Sequence, residues 1–260
     1  MSPVMLEVTG LTIAFGGLTA VSSMTFNVRE GEVLSLIGPN GAGKTSAFNA
    51  ITGYLRPVKG SVVFLGRSIN GVRPDRIAAR GLVRTFQKTS VFATQSAHSN
   101  VLTGLHLSSR QRLLPILLGS RSVAKDEARL SEEAHQILDF AGLSKRANEQ
   151  ANALPYGDQR LLEMAIALAA RPKLLLLDEP VSGMNTAEKA SFTSIIRKIR
   201  DLGITILLVE HDMRTVMEVS DRVICLAQGR IIADGPPTAI QQSDEVIKAY
   251  LGERFERAQA

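Results

Sequence analysis

Apolar and polar residues alternate in the first quarter of the chain, which predicts strands with one buried face. The alternation covers residues 7–15, 21–28 and 62–64, and successive side chains of a strand point to opposite faces. Antiparallel sheets commonly bury one face and leave the other in water. We therefore expect these segments to form an antiparallel sheet near the N-terminus.

Three continuous apolar runs predict a different kind of strand. Residues 33–37, 174–177 and 204–209 are almost wholly apolar, as expected for parallel strands that helices cover on both faces. Residues 87–154 contain few strand signals, and within them residues 124–140 repeat apolar positions with a helical period. The pattern predicts an α/β core with a helical insertion.

The composition is that of a globular protein without a membrane span. Of its 260 residues, 45% are hydrophobic, enough for one substantial core. Its longest apolar runs, such as 113–118 and 164–170, fall far short of the roughly 20 residues that a spanning helix needs. The N-terminus lacks the pattern of a secretory signal, and the single cysteine, Cys225, excludes a disulfide within one chain. We expect a cytoplasmic protein with a buried, reduced thiol.

Positive charge is concentrated in one span of the sequence. The net charge is +5, and only Asp75 is acidic among Arg56, Lys59, Arg67, Arg73, Arg76, Arg80, Arg84 and Lys88. A solvated face is the favoured interpretation, and a surface near an anionic membrane is the second. Only Phe64 and Phe86 are interleaved with these charges, so nucleic acid is not an expected partner.

A glycine-rich segment follows the first apolar run directly. Residues 38–45 read Gly-Pro-Asn-Gly-Ala-Gly-Lys-Thr, the G-x-x-x-x-G-K-[ST] pattern of a phosphate-binding loop. Between a strand and a helix, such a loop directs backbone N–H groups, the helix dipole, the Lys44 ammonium and the Thr45 hydroxyl to one place. A polyphosphate with Mg²⁺ needs all of these together. The segment therefore predicts a nucleotide site.

Two acidic residues end the second apolar run. Asp178 and Glu179 follow residues 174–177 and precede Pro180, and open α/β sheets bind their ligands at the carboxyl ends of strands. We expect Asp178 to hold magnesium, directly or through water, and Glu179 to act as the general base on the attacking water. For this motif alone, a strand-capping pair before a proline turn is the alternative.

A histidine follows the third apolar run, at the same sheet edge. His211 comes two positions after residues 204–209, where a hydrogen bond to a terminal phosphate is expected. The other histidines, His98, His106 and His135, lack metal-ligand spacing and are expected to be ordinary surface or lobe residues.

A turn and a helix complete the set of motifs. Residues 154–159 read Leu-Pro-Tyr-Gly-Asp-Gln and precede a predicted helix at 160–168. The order of phosphate loop, Gln87, this turn, the Asp-Glu strand end and His211 resembles an ATP-binding cassette (ABC) ATPase over nearly the whole chain. The resemblance implies a P-loop NTPase (RecA-like) α/β core with an N-terminal antiparallel β lobe and a helical insertion lobe.

The resemblance also implies how a single domain, residues 1–260, is divided. The expected parts are an antiparallel β lobe at 1–32 and 58–70, a nucleotide-binding core at 33–57, 71–87 and 161–236, a helical lobe with the signature turn at 88–160, and a C-terminal helical tail at 237–260.

In such ATPases two subunits enclose two ATP molecules head to tail, so each site is shared. The implied ATP-binding residues are Phe15, Gly38, Pro39, Asn40, Gly41, Ala42, Gly43, Lys44, Thr45 and Ser46, with Phe15 against adenine and Lys44 on the β- and γ-phosphates. The implied Mg²⁺ ligands are Thr45, Gln87 and Asp178, and the implied catalytic residues are Glu179, His211 and Gln87. The residues implied to contact the opposite subunit's ATP are Pro155, Tyr156, Gly157, Asp158 and Gln159.

Three segments depart from the family's common pattern. The usual signature is Leu-Ser-Gly-Gly-Gln, and Pro155 offers neither the serine hydroxyl nor a backbone N–H. We expect Gly157 and the helix N-terminus to make more of the contact with the opposing phosphate. Thr186 replaces a common proline in the loop at 182–186 that meets the opposite subunit. Residues 95–101 differ from the usual sequence in the lobe that meets the membrane subunit.

The subfamily is indicated by the Leu-Pro-Tyr-Gly turn, residues 84–87 and residues 246–252. They resemble the longer ATPase of importers for branched-chain amino acids, and urea, short amides and other small carboxylates stay open as alternative solutes. This implies a peripheral motor subunit on the cytoplasmic face of the membrane. The implied partners are two membrane-spanning permease subunits, a second, different ABC ATPase subunit and a solute-binding protein. A homodimer stays open, as do an ATPase for envelope-lipid export and a non-transport ABC ATPase acting on nucleic acid or ribosomes.

Overall fold

The computed structural model describes residues 2–85, 91–105 and 121–250, with the backbone alone at 121–124. These residues form two compact units, Met1–Arg84 with Lys173–Ala260, and Thr85–Pro172. The strands are β1 (Val4–Phe15), β2 (Leu18–Arg29), β3 (Val33–Ile37), β4 (Lys59–Phe64), β5 (Arg67–Ser68), β6 (Leu82–Arg84), β7 (Leu174–Asp178), β8 (Thr205–Val209), β9 (Arg222–Ala227) and β10 (Arg230–Gly235). The α-helices are α1 (Lys44–Ile51), α2 (Pro74–Ala78), α3 (Ala97–Leu105), α4 (Arg121–Phe140), α5 (Tyr156–Ala169), α6 (Thr186–Asp201), α7 (Met213–Val219) and α8 (Pro237–Gln241), and residues 244–250 are also helical.

The first unit contains an antiparallel sheet of four strands in the order β2-β1-β4-β5. The alternating segments at 7–15, 21–28 and 62–64 lie in β1, β2 and β4, so the predicted antiparallel sheet is confirmed. Alternation did not indicate β5, because a strand of two exposed residues has no buried face.

The same unit contains a six-stranded sheet in the order β10-β9-β3-β8-β7-β6. Strands β9, β3, β8, β7 and β6 are parallel, and β10 pairs antiparallel with β9. Every residue of β3, β7 and β8 is buried, which confirms the strands predicted from the three apolar runs. Because β3, β7 and β8 run in the same direction, their carboxyl ends lie at the same edge of the sheet. The loops that follow these three strands therefore leave the sheet at that edge.

Helix α1 packs between the two sheets of the first unit. Its Phe48 and Ile51 are fully buried in a cluster that includes Leu6 and Phe64 of the antiparallel sheet and Leu176 of the parallel sheet. Burying a side chain of this size contributes about 1.5–3 kcal/mol. Because α1 begins directly after residues 38–43, this packing fixes the far end of the glycine-rich loop.

The second unit is a helical core built from α3, α4 and α5. One apolar cluster contains buried residues of all three helices, among them Val101 of α3, Leu138 of α4 and Leu162 of α5. Helices α3 and α5 approach closely at Gly104, where a Cβ atom would lie 2.7 Å from the carbonyl oxygen of Ile166. The sequence placed residues from 161 onward with the nucleotide-binding core, whereas all of α5 lies in this helical unit. In the described part of the chain, no helix has the length and apolar character needed to cross a membrane.

Candidate nucleotide-binding site

The glycine-rich loop, residues 38–43, connects the buried strand β3 to α1. Gly38 and Gly43 have φ values of 144° and 102°. A Cβ atom at Gly38 would lie 2.0 Å from the carbonyl oxygen of Leu226, and one at Gly43 would lie 2.5 Å from that of Ala20. Neither position accepts a side chain, and Gly43 gives the start of α1 no side-chain cap. Gly43 thus supplies no side-chain acceptor at the N-terminus of α1, which is the end of a helix that suits a phosphate.

The Lys44 side chain is buried against this loop. Its Nζ donates hydrogen bonds to the carbonyl oxygens of Gly38 at 2.6 Å and Pro39 at 3.0 Å. Thr45 is exposed beside it on the first turn of α1. An ammonium held over its own loop and an exposed hydroxyl are the two side-chain groups that the loop motif brings to a phosphate.

The turn between β9 and β10 contacts and supports the glycine-rich loop, a contact that the residue pattern did not indicate. Gly229 donates from its N–H to the carbonyl of Ala42 at 3.1 Å, and its own carbonyl accepts from Ser22 at 2.8 Å. A Cβ atom at Gly229 would lie 2.7 Å from the carbonyl oxygen of Ala20. The support therefore depends on contact between backbones, which residue types alone do not reveal.

Asp178 lies at the carboxyl end of β7 and is 2% exposed. Its Oδ2 accepts a hydrogen bond of 2.6 Å from Arg84 Nη2. Its Oδ1 is buried and has no hydrogen-bond partner among the described residues. One oxygen of this carboxylate is fixed, and the other is left for a further ligand.

Arg84 is an exception to the sequence interpretation of the basic span as a solvated face, because the other described basic residues of the span are exposed. Arg84 is in β6, opposite Leu176 of β7, and its side chain is only 7% exposed. Its guanidinium also donates to Asn49 at 2.7 Å and to Thr52 at 3.2 Å. A strand of three residues was too short to be recognised, so Arg84 was grouped with the exposed arginines.

Glu179 follows β7 in a left-handed backbone conformation. Its φ is 49°, which costs a residue with a Cβ atom free energy. Its N–H donates to Val209 at the end of β8 over 2.8 Å. The carboxylate is partly exposed, and its Oε2 lies 3.8 Å from Nδ1 of His211. The structure therefore brings together the two side chains that the sequence placed at one sheet edge.

Glu210 is a residue that the sequence interpretation left without a role. It is fully buried, and its Oε1 accepts from the N–H of Val181 at 3.0 Å. Its Oε2 accepts from the N–H groups of His211 at 2.9 Å and Asp212 at 3.1 Å. The carboxylate thus joins the loops that carry Glu179 and His211. The available signal was an acidic residue at the end of an otherwise apolar strand.

A second link between these loops is the ion pair of Lys189 and Asp212. Partial burial opposes ionisation of Asp212, but the hydrogen bonds from Lys189 and Thr215 outweigh it and lower its pKa to about 2. Lys189 is in α6, which starts with a capping box of Asn185 and Glu188. Thr186 is the first residue of that helix, the position where proline is favoured but not required.

Two further predicted residues are Phe15 and Gln87. Phe15 ends β1 in the first unit and is half exposed, so its ring is available for stacking. Gln87 lies outside the described residues.

The predicted signature turn lies in the second unit. Pro155 is the N-cap of α5 and supplies no side-chain cap, and its carbonyl accepts from the N–H of Gln159 at 3.0 Å. Tyr156 is 41% exposed, whereas Gly157 is buried. Asp158 pairs with Arg146 at 2.9 Å. The N-terminus of α5 is thus free of any side-chain cap, as an anion site requires.

Buried Arg160 orients the exposed ring of the turn. Its Nε donates to the Tyr156 hydroxyl at 3.0 Å, and its Nη1 donates to Glu163 at 2.9 Å. Although burial opposes it, these partners raise the pKa of Arg160. The sequence did not single out either charged residue.

A glycine-rich loop leading from a buried strand into a helix, next to acidic ends of neighbouring strands, defines a P-loop nucleotide-binding protein. Residues 21–182 match the family model described as ABC transporter, and residues 230–256 match a second model, described as branched-chain amino acid ATP-binding cassette transporter. The chain belongs to the ABC transporter family, as an ATP-hydrolysing subunit.

Individual relatives are similar over nearly the whole chain. The high-affinity branched-chain amino acid transport ATP-binding protein BraF of Pseudomonas aeruginosa is 42% identical over 97% of this chain and 100% of its own length. The lipopolysaccharide export system ATP-binding protein LptB of Haemophilus influenzae is 31% identical over 90% of this chain and 92% of its own length. Among solved structures, a crystal structure of an ATP-binding cassette of an ABC transporter in its ADP conformation superimposes with a TM-score of 0.84. The match covers 96% of this chain and 100% of that chain, with 29% sequence identity. The expected ABC ATPase fold is confirmed.

Proposed function

We propose that this chain is the ATP-driven motor of an importer for branched-chain amino acids. The observation that carries the proposal is the 42% identity with BraF, which spans all of that protein. The match of residues 230–256 to the branched-chain family model supports the same solute class.

ATP binding is proposed for residues 38–46 and Phe15. The glycine-rich loop and the N-terminus of α1 would supply backbone N–H groups to the phosphates. Lys44 would exchange the carbonyls of Gly38 and Pro39, which it now contacts at 2.6 and 3.0 Å, for the β- and γ-phosphates. The half-exposed ring of Phe15 would stack on adenine.

The described residues fit a Mg²⁺ site. Oδ1 of Asp178 is buried without a partner among them, and Thr45 presents an exposed hydroxyl. Mg²⁺ is commonly bound through one or two carboxylates, substrate phosphate oxygens and several waters. We propose Thr45, Asp178 and Gln87 as its ligands. When bound, the ion neutralises charge on the phosphate oxygens.

Hydrolysis is proposed to depend on the two loops after β7 and β8. Glu179 would accept a proton from the attacking water, since its carboxylate is partly exposed at the sheet edge. His211 would hydrogen-bond the γ-phosphate, and Gln87 would help to position the water. Glu210 would hold both loops through the backbone N–H groups of Val181 and His211.

The complete site is proposed to need a second subunit. Pro155, Tyr156, Gly157, Asp158 and Gln159 would face the ATP of the opposite subunit. Because Pro155 has no N–H to offer, the uncapped N-terminus of α5 would carry the contact. ATP would then hold the two subunits together, and its hydrolysis would release them.

The proposed partners are two membrane-spanning permease subunits, a second ABC ATPase subunit and a solute-binding protein. Heterodimer formation is favoured, and the chain would lie on the cytoplasmic face of the membrane. Envelope-lipid export is the second candidate, because the LptB relative is 31% identical over 90% of this chain. The higher identity to BraF and the match at 230–256 favour amino-acid import.

The test is to purify the chain with its membrane partners in lipid vesicles and measure ATP hydrolysis. A binding protein loaded with leucine should stimulate hydrolysis severalfold, and the same protein without solute should not. Stimulation by urea or by lipopolysaccharide alone would overturn the proposed solute. In parallel, Lys44→Ala should weaken ATP binding, and an unchanged affinity would overturn the role of Lys44.

A further inference from the structure

The Tyr250 hydroxyl reaches the first residue of the phosphate-binding loop from the other end of the chain. It accepts a hydrogen bond of 2.9 Å from the N–H of Gly38 across 212 positions of sequence. The C-terminal segment therefore touches the proposed ATP site directly.

Tyr250 is held in place by packing. It is the last described residue of the helical segment 244–250 and packs against an apolar cluster that contains Ile37, Cys225 and Val246. Ile37 is the last residue of β3, immediately before Gly38. The ring thus packs against a cluster that includes the last residue of the strand leading into the loop, and this packing orients its hydroxyl.

Gly38 is constrained on each side by a different contact. Its Cα faces the carbonyl oxygen of Leu226, where a Cβ atom would lie at 2.0 Å. Its carbonyl accepts from Lys44 Nζ at 2.6 Å, and its N–H donates to Tyr250. Since φ of this residue is 144°, glycine's wide conformational range has to be limited by such contacts.

We propose that Tyr250 is a positioning residue for ATP, acting through Gly38 on the phosphate-binding loop and on Lys44. The proposal rests on the proposed binding of ATP by residues 38–46. It assigns a role to one residue of the segment at 230–256, which the branched-chain family model matches: Tyr250 raises the affinity of the loop for nucleotide. Tyr250 touches neither the substrate nor the reacting atoms.

The test is Tyr250→Phe in the full chain, which removes one oxygen atom and keeps the ring that packs against the apolar cluster. The N–H of Gly38 then loses its acceptor, and the loop can leave its binding geometry. We expect the dissociation constant for ATP to rise about 3- to 10-fold, where tenfold corresponds to about 1.4 kcal/mol. In the complex with the membrane partners, KM should rise by the same factor, with kcat within about twofold of the original.

A second readout reports the hydrogen bond itself. Amide hydrogen exchange, followed by NMR, should show faster exchange at Gly38 in Tyr250→Phe, whereas the buried amides of β8 keep their protection. Tyr54→Phe is the matched control, because Tyr54 is exposed in the same unit and should leave both ATP affinity and Gly38 exchange unchanged.

Two outcomes would overturn the proposal. One is an ATP affinity of Tyr250→Phe within twofold of the original chain. The other is a loss of kcat and thermal stability with KM unchanged, as a purely structural role would give. If the original chain itself failed to bind ATP, the proposed function would fail instead, so the two failures are distinguishable.

Discussion

Arg84 and Asp178 form a buried ion pair, with 2.6 Å between Nη2 and Oδ2 and side chains that are 7% and 2% exposed. The two residues belong to neighbouring parallel strands, β6 and β7. The guanidinium therefore fixes one oxygen of the carboxylate that we propose as a Mg²⁺ ligand and leaves the other available.

Arg84→Met should destabilise the protein by about 3 kcal/mol or more, because it leaves a buried carboxylate without its cation. Methionine keeps most of the side-chain volume, so the loss is chiefly electrostatic. Urea unfolding at neutral pH measures the change. Arg73→Met is the control, since the Arg73 side chain is 79% exposed and should change stability by less than about 0.5 kcal/mol. A loss below about 1 kcal/mol at Arg84 would contradict the importance of the pair.

Glu179→Gln should abolish turnover while ATP still binds. Glutamine keeps the shape of the side chain but cannot accept the proton of the attacking water. We expect hydrolysis to fall at least about 100-fold and a long-lived, ATP-bound dimer to accumulate, as measured by light scattering with and without ATP. Glu188→Gln, at the capping box of α6, is the control for loss of an acidic side chain. Normal turnover by Glu179→Gln would remove Glu179 from the general-base role.

Glu179→Gly should be more stable than Glu179→Ala by about 1 kcal/mol. The φ of 49° at this position is unfavourable for any residue with a Cβ atom and acceptable for glycine. Both variants lack the carboxylate, so the comparison isolates the backbone. Thermal unfolding of the two chains in one buffer checks it. Equal midpoints would mean that the backbone at residue 179 relaxes in the variants.

Glu210→Gln should lower kcat about 10-fold or more with little change in the KM for ATP. The amide can still accept at its oxygen, but its NH₂ group faces backbone N–H donors, so one of the two loops loses its anchor. Steady-state hydrolysis in the reconstituted complex separates the two constants. An increase in KM with an unchanged kcat would instead indicate a role in nucleotide binding.

The ion pair of Lys189 with Asp212 should make stability depend on pH in the acidic range. The pKa of Asp212 falls from its ordinary 3.8 to about 2 in the folded chain, so the contribution is complete above about pH 4 and is lost as the pH falls towards 2. We expect Asp212→Asn to cost about 1 kcal/mol at pH 7, after allowance for partial exposure, and less at pH 3.

Urea unfolding of both chains at pH 7, 4 and 3 measures this difference. Asparagine can still cap α7 by accepting from the N–H of Thr215. The substitution therefore removes the charge of residue 212 and keeps the helix cap. A difference that stays constant from pH 7 to pH 3 would show that the pair contributes nothing that titrates.

The sequence predicted those strands whose burial is visible in the residue pattern. Strands β3, β7 and β8 are covered on both faces, and each therefore shows a run of apolar residues. Strand β6 has three residues and includes Arg84, so its pattern resembled an exposed basic segment. It is recognised only by its pairing with β7, which lies about 90 positions later.

The candidate site also contains parts that a local pattern predicts and parts that depend on distant contacts. The loop at 38–45 and the carboxylates after β7 are local motifs, and local spacing predicted where they lie. The contacts of Glu210 with Val181 and of Tyr250 with Gly38 join segments that are 29 and 212 positions apart. Such contacts follow from the topology of the sheet, which no local pattern contains.

The loops after β7 and β8 are tied together at three points: Glu179 to Val209, Val181 to Glu210, and Lys189 to Asp212. With three contacts across such short segments, we expect the two loops to move together. The residues proposed to meet the neighbouring subunit, 182–186, lie between Glu179 and Lys189. A shift imposed there by the neighbour would therefore displace Glu179 and His211 together, so each subunit could sense the nucleotide state of the other without a separate relay.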